Sequence, residues 1–277
     1  METKISASQR RACDFLNRLE PPNCVRFWRN NQESYLTLSV VIADQKNPQA
    51  LKKIVELQTE VTERLEGLRV VHDPYAQEGK CLYTYPKQEL HCSLVNILLS
   101  PHTFPDFVET MRNREFVEQR NKIIKCIGNN KPPRSEATIA GFYSGGSHGP
   151  TNSFSLQMFP DPEFIAALKR IRDCLTPEAI GKLPEGVTLD SRVKGYSGSE
   201  DSIERFPLNI LRLMHRADSD ESPGSAAELG VKMEIARINA EFGSSKERWL
   251  TLTIKKLVLV ESDPFLHNPN RLAEFSL

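Results

Sequence analysis

The residues best suited to chemistry in this chain stand in the stretch Leu90-His91-Cys92-Ser93-Leu94-Val95-Asn96-Ile97-Leu98. It reads as a β-strand. Side chains alternate across a strand, so His91 and Ser93 point one way and Cys92 the other. An imidazole and a hydroxyl so placed can move a proton and donate to a charged oxygen. The same alternation argues against a Cys92–His91 nucleophilic pair. A single histidine on an apolar strand is commonly a hydrogen-bonded core residue, so a chemical role for His91 calls for a partner elsewhere.

The elements that would position that partner follow from periodicity. Residues 8–20 fit a short amphipathic helix with Ala12, Phe15, Leu16 and Leu19 on one face, stopped by Pro21-Pro22. Tyr35 to Ala43 is a strand, and Leu51, Ile54, Val55, Leu57, Val61 and Leu65 mark a helix ending near Gly67. After the His91 strand, at about 89–99, a second helix spans about 106–125. Strands over 136–143 and 152–159 flank the turn 144–150, and a helix covers 162–174. The stretch 176–205 reads as long and irregular. A strand at 206–214, a helix at 226–242 and one or two strands over 249–261 complete the order. Each half thus reads strand, helix, strand, helix. That predicts an α+β fold, a pseudo-twofold sandwich rather than a doubly wound parallel sheet.

Composition narrows the function. Lys+Arg and Asp+Glu both number 36 in 277 residues, so no global field draws the protein to duplex DNA or a membrane surface. An anionic ligand must be held locally. The six cysteines form no CxxC pair and no metal-ligand spacing, so they read as reduced, mostly buried thiols, and no metal is expected. No apolar run reaches the ~20 residues of a membrane helix, and the first residues carry no apolar signal core, so a cytoplasmic location is expected.

The order of elements, the box His91-Cys92-Ser93-Leu94 and the closing strand Leu257-Val258-Leu259-Val260-Glu261-Ser262 together resemble the 2H phosphoesterase superfamily, which includes LigT-like RNA ligases and cyclic nucleotide phosphodiesterases. The resemblance covers about residues 35–265. It implies two intertwined lobes whose antiparallel sheets form a central cleft with helices outside, an N-terminal helical appendage over 1–34 and a tail over 266–277. It further implies that each lobe gives one His-x-Thr/Ser strand to the cleft. The two imidazoles of such a site serve as general base and general acid on a phosphodiester, commonly a 2′,3′-cyclic phosphate, and the hydroxyls donate to its oxygens. The resemblance calls for no cofactor. His91 and Ser93 match the first box.

The second box should fall on the strand 206–214, at 209–212, and there the pattern breaks. Asn209 stands where the family has His, and Leu211 where it has Thr or Ser. Asparagine can hold a phosphate oxygen but cannot titrate near neutral pH. Losing one of two proton-transfer groups removes on the order of 10²–10⁴ in rate. Two expectations follow: a 2H-like protein that binds or slowly cleaves a cyclic nucleotide or RNA-end phosphate, and a non-catalytic ligand-binding or protein-interaction module that keeps the fold. The sequence does not fix the oligomeric state.

Other candidates are weaker. Arg212, Lys194 and His148 are phosphate contacts only if folding brings them to the cleft, and His148 and His215 are ordinary surface residues otherwise. His72, His102 and His267 fall in loops without ligand spacing. Gly141 to Ser147 lacks the Lys-Ser/Thr ending of a phosphate-binding loop. Arg112, Arg114, Arg120 and Lys122 share their helix with Glu109, Glu115 and Glu118, which reads as a solvated face.

Overall fold

Sheet pairing decides where the two boxes stand. A computed structural model describes residues 6–16, 33–68, 82–101, 104–143, 153–193, 196–197, 203–213, 225–244, 249–263 and 269–277. In chain order the strands are β1 (Ser34–Val41), β2 (Leu82–Thr84), β3 (His91–Ser100), β4 (Ser135–Tyr143), β5 (Ser153–Phe159), β6 (Thr188–Val193), β7 (Tyr196–Ser197), β8 (Ile203–Leu213), β9 (Leu250–Ile254), β10 (Lys256–Ser262) and β11 (Asn270–Ser276). The helices are α1 (Ala7–Leu16), α2 (Pro48–Glu66), α3 (Phe104–Arg112), α4 (Arg114–Asn129), α5 (Pro162–Cys174), α6 (Pro177–Ile180) and α7 (Ser225–Ser244).

The fold is α+β, and every strand pair among the described residues is antiparallel. The main path runs β11-β10-β1-β3-β8-β5-β4-β9. The two box strands, β3 and β8, therefore sit side by side at the centre. Outward from that seam, β1, β10 and β11 build one half and β5, β4 and β9 the other. Strands β10 and β11 come from the C-terminal end of the chain to complete the first half, so the halves are intertwined.

One sheet face carries the main core. Leu36, Leu38 and Val40 of β1, Leu94, Val95, Ile97 and Leu98 of β3, and Leu208, Ile210, Leu211 and Leu213 of β8 pack with Ile54 of α2, Ile123 of α4, Leu168 of α5 and Ile235 of α7. Fully burying each such side chain contributes roughly 1.5–3 kcal/mol. The opposite face is where polar residues gather. On its β4–β5 side it is covered by α1, whose Ala12 packs with Ala140 and Phe159, while Ser8 and Thr138 share a hydrogen bond of 2.8 Å. On its β1–β10 side Val41, Val258 and Val260 form a separate apolar patch.

Local chemistry sets the ends of the elements that hold β1 and β3. Asn47 caps α2 by accepting from the Ala50 N–H at 3.0 Å, with Pro48 at the first helical position. Gln45, 1% exposed, donates to the Val41 and Lys256 carbonyls and accepts from the Lys255 and Lys256 N–H groups. It thereby ties the end of β1, beside His91, to β10.

Several expectations are corrected. The helix at 106–125 is two, broken at Asn113, whose N–H reaches the Thr110 carbonyl and whose own carbonyl accepts from Phe116. Asparagine competes with helix continuation through its side chain. The irregular stretch 176–205 contains α6, capped by Thr176, and β6, which pairs with β3 beyond the point where β8 leaves it. That partner lies far away in sequence, so local pattern does not reveal it. Cys126 and Cys174 are joined as a disulfide between α4 and α5, with Cα atoms 6.2 Å apart; Cys13 and Cys92 remain free thiols. Residues 270–276, placed in the tail, are the edge strand β11, with Phe275 buried against the core, Asn270 bonded to Glu261 and Arg134 donating to the Leu277 carbonyl.

Deleting residues 269–277 is expected to lower stability by roughly 1.5–3 kcal/mol from the loss of Phe275 burial alone, and to leave β10 as an open edge prone to association. Denaturant midpoints and light scattering on the truncated chain check this; an unchanged midpoint and a monodisperse monomer would show that β11 contributes nothing.

Candidate functional site

His91 and Asn209 are direct cross-strand partners on β3 and β8. Strand neighbours of this kind hold their side chains on one face, with Cβ atoms ~5 Å apart. That face is the one opposite the main core. It also receives Ser93, which stands opposite Ser39 of β1, and Ser155, which stands opposite Asn209 on β5.

The alternation of both box strands is broken, and the breaks decide which residues join them. On β8, Ser155 pairs with Asn209 but Phe154 pairs with Leu211. Ile210 is therefore an extra residue, a β-bulge. Both Ile210 and Leu211 point into the core, at 0% exposure. Arg212, opposite Ser153 and Tyr83, returns to the Asn209 face. The expectation that Leu211 occupies the hydroxyl position is thus corrected: the second box presents Asn209 and, three residues on, Arg212. On β3, bulges fall within Ser93–Val95 and Asn96–Leu98. They send Leu94 and Val95, then Ile97 and Leu98, to the core and bring Asn96 to the site face. Asn96 there accepts from the Thr37 hydroxyl at 3.2 Å and donates to Asp190 at 3.4 Å.

The imidazole of His91 is held tightly. Its Nδ1 lies 2.8 Å from the Glu89 carbonyl, so the neutral ring carries its proton on Nδ1 and leaves the Nε2 lone pair bare. The Tyr85 ring meets it edge to face at 5.4 Å and meets Tyr83 at 5.0 Å. His91 is 2% exposed. Burial, opposed by the Glu89 carbonyl and reinforced by the positive charge of Arg212, lowers its pKa to about 4. Burial likewise pushes the Tyr85 hydroxyl up, with Arg212 pulling against it, and raises Tyr83 and Tyr35, on each of which Arg212 again acts in the opposite sense. The guanidinium of Arg212 is thus the common cation of this cluster.

Around the buried ring, Ser93, Asn209 and Arg212 are half-buried and within reach of solvent. The Ser155 hydroxyl donates to Asn209 Oδ1 at 2.7 Å. That fixes the amide, so its Nδ2 group is the end presented as a donor. Further along the face, Arg205 donates to Gln157 at 2.7 Å. At neutral pH the arrangement offers a hydroxyl, an amide donor and a guanidinium around a neutral imidazole. Such a set can hold an anion, and His91 is the one of these groups whose ordinary titration range lies near neutrality, although burial lowers it to about 4 here. No cluster of three or more His, Cys, Asp or Glu side chains suited to a metal occurs among the described residues.

His91, Ser93, Asn209 and Arg212 are therefore brought to one face. His148, His215 and Lys194 lie outside the described residues. Sequence reasoning passed over Asn96, Ser155, Thr37, Ser39 and Tyr85. The signal available for Asn96 and Arg212 was the doubled apolar pairs Leu94-Val95, Ile97-Leu98 and Ile210-Leu211, which interrupt strict alternation.

No protein-family model and no curated protein matches the chain. Solved structures do. A conserved protein of unknown function, ATU0111 from Agrobacterium tumefaciens, is 13% identical at a TM-score of 0.40, over 94% of this chain and 97% of that one. TT0787 of Thermus thermophilus is 13% identical at 0.45, over 88% and 97%. Usb1 of Kluyveromyces marxianus is 11% identical at 0.39, over 90% and 99%, and its structure with uridine monophosphate is 9% identical at 0.36, over 89% and 99%. Likenesses of this size assign no residue here a role.

The His91 environment has a consequence for stability. The unfolded chain takes up a proton on this ring near its ordinary value of 6.5, whereas the folded chain resists until about 4. Folding stability should therefore be full above pH 6.5 and fall as pH drops from 6.5 to about 4, by on the order of 3 kcal/mol. Urea unfolding across that range, comparing the chain with His91→Gln, checks it: the variant should lose this part of the slope, and identical slopes would contradict the buried neutral ring.

Proposed function

We propose that the chain is a 2H phosphoesterase-like protein whose central cleft binds a nucleotide or RNA-end phosphate, with proton transfer impaired in its second half. The observation that carries this is the juxtaposition of His91 with Asn209 across the β3–β8 seam, together with the bulge that turns Arg212 to the same face. In this reading Ser93, the Asn209 amide and Arg212 donate to phosphate oxygens. Arg212 supplies the positive charge that a chain of zero net charge lacks overall. His91, neutral and with Nε2 bare, accepts a hydrogen bond or a proton from water or a ribose hydroxyl.

Two features favour binding over turnover. Asn209 cannot protonate a leaving oxygen, and its carbonyl is already engaged by Ser155. His91 is also a weak base, because its burial opposes the imidazolium. Binding without product, or with slow product formation, is the expected behaviour. The ligand class, a 2′,3′-cyclic phosphate, a cyclic nucleotide or an RNA end, follows from the resemblance stated above.

Incubation with 2′,3′-cyclic nucleotides and with RNA bearing a cyclic phosphate, alongside calorimetric binding, tests this. The expected result is measurable binding with little product, binding weakened about tenfold or more in Arg212→Gln, and product formation raised in Asn209→His. Rapid hydrolysis that survives His91→Ala would remove the site assignment. Failure of every phosphorylated ligand to bind would leave a protein-interaction role as the better account.

A further inference from the structure

Helix α2 turns toward the core the stripe Ala50, Ile54, Gln58, Val61 and Leu65. Four are apolar, and one is a primary amide at 5% exposure. An amide in that position is unfavourable unless its donors find acceptors. Gln58 Nε2 donates to two carbonyls at once, that of Tyr85 at 2.9 Å and that of Ile210 at 2.6 Å. Neither choice is neutral for the site. Tyr85 is the residue whose ring packs on His91, and Ile210 is the extra residue of the β8 bulge. A bulge interrupts the ladder and leaves backbone groups that need partners from elsewhere. The Ile210 carbonyl takes the Tyr85 N–H at 3.2 Å and the Gln58 amide on its other side.

We propose that Gln58 is a positioning residue for the cleft: from the helix layer it pins the Ile210 bulge and the Tyr85 backbone together, and so holds Arg212 on the His91–Asn209 face. The phosphate-holding role of Arg212 rests on the function proposed above, but the positioning itself does not. Without Gln58, the Ile210 and Tyr85 carbonyls lose a donor in a buried environment. The bulge then keeps the Tyr85 N–H bond, its flanking ladder pairs and the burial of Ile210 and Leu211 but loses its tie to the helix layer, and Arg212 shifts relative to the ring. Gln58 is remote from any ligand, on the far side of the sheet, so a change in the cleft on its replacement has to pass through the bulge.

Titration of the His91 imidazole by NMR reads this without any ligand. Among the described residues, the groups placed about the ring are the Tyr85 side chain, the Glu89 carbonyl, Asn209 and the Arg212 guanidinium, and Arg212 is the charged one of these. Arg212→Gln should raise the His91 midpoint by on the order of one pH unit. Gln58→Met, which keeps length and removes the donor, should raise it by a similar amount, and the double variant should add nothing further. In parallel, uridine monophosphate affinity should fall about tenfold in each single variant, with no additional loss in the double.

A His91 midpoint in folded Gln58→Met equal to that of the unsubstituted chain, while Arg212→Gln shifts it, overturns the inference. Should Gln58→Met not fold, Gln58→Asn keeps the amide but is too short to reach both carbonyls and should give the same shift. If neither folds, Gln58 serves the fold as a whole and the positioning role is overturned. Absence of nucleotide binding in the unsubstituted chain would instead count against the proposed function and leave the titration result standing.

Discussion

Ile210 and Leu211 are consecutive on one strand and both wholly buried in the same core, and a regular strand cannot do that. The site depends on this conflict. Strand geometry sends neighbours to opposite faces, whereas burial of each of these side chains contributes roughly 1.5–3 kcal/mol, enough to favour an inserted residue over an exposed leucine. The bulge that results resets the alternation, so the next polar residue, Arg212, emerges on the face that holds Asn209 and His91. The same conflict recurs on β3, where Leu94-Val95 and Ile97-Leu98 bring Asn96 to that face. Core packing on one side of the sheet thus chooses the polar residues on the other.

The chemistry of the face follows from what stands there. His91 is buried, held by the Glu89 carbonyl and placed near a guanidinium, and all but the carbonyl bond disfavour its charged form. Asn209 is fixed by Ser155 with its donors outward. On one side of the β3–β8 seam stands a group that can take a proton, and on the other an amide that can only exchange hydrogen bonds. The asymmetry lies in residue types rather than in chain path, because β3 and β8 occupy equivalent central places in the sheet.

Much of the architecture was legible in the sequence. Period-2 and period-3.6 patterns located β1, α2, β3, β5, α5, β8 and α7 to within a few residues, and the paired halves followed from their order. That His91 and Ser93 share a face, and that Asn209 stands on the second central strand, was legible because strand alternation is local. Arg212 was named only as a conditional contact, because its face depends on how Ile210 is accommodated, and a strictly alternating strand puts Leu211 there instead. Ser155, Asn96 and Gln58 were not singled out. Their roles come from partners 54, 59 and 152 residues away, respectively Asn209, Thr37 and Ile210, and single-strand or single-helix patterns carry no record of such pairings. Strands β6 and β11 were missed for the same reason: each is a short segment whose stability comes from an edge that another part of the chain provides.

The central claim is that the Asn209–Arg212 half of β8 receives a phosphate. Heteronuclear NMR during titration with uridine monophosphate, following the Asn209 side-chain amide, the Arg212 Nε–H and the Leu211 methyls, tests it most directly. The account predicts that the Asn209 and Arg212 signals move together over one binding curve while the Leu211 methyls, on the core face, stay in place. Binding that leaves both polar signals unmoved, or that moves Leu211 instead, would contradict it.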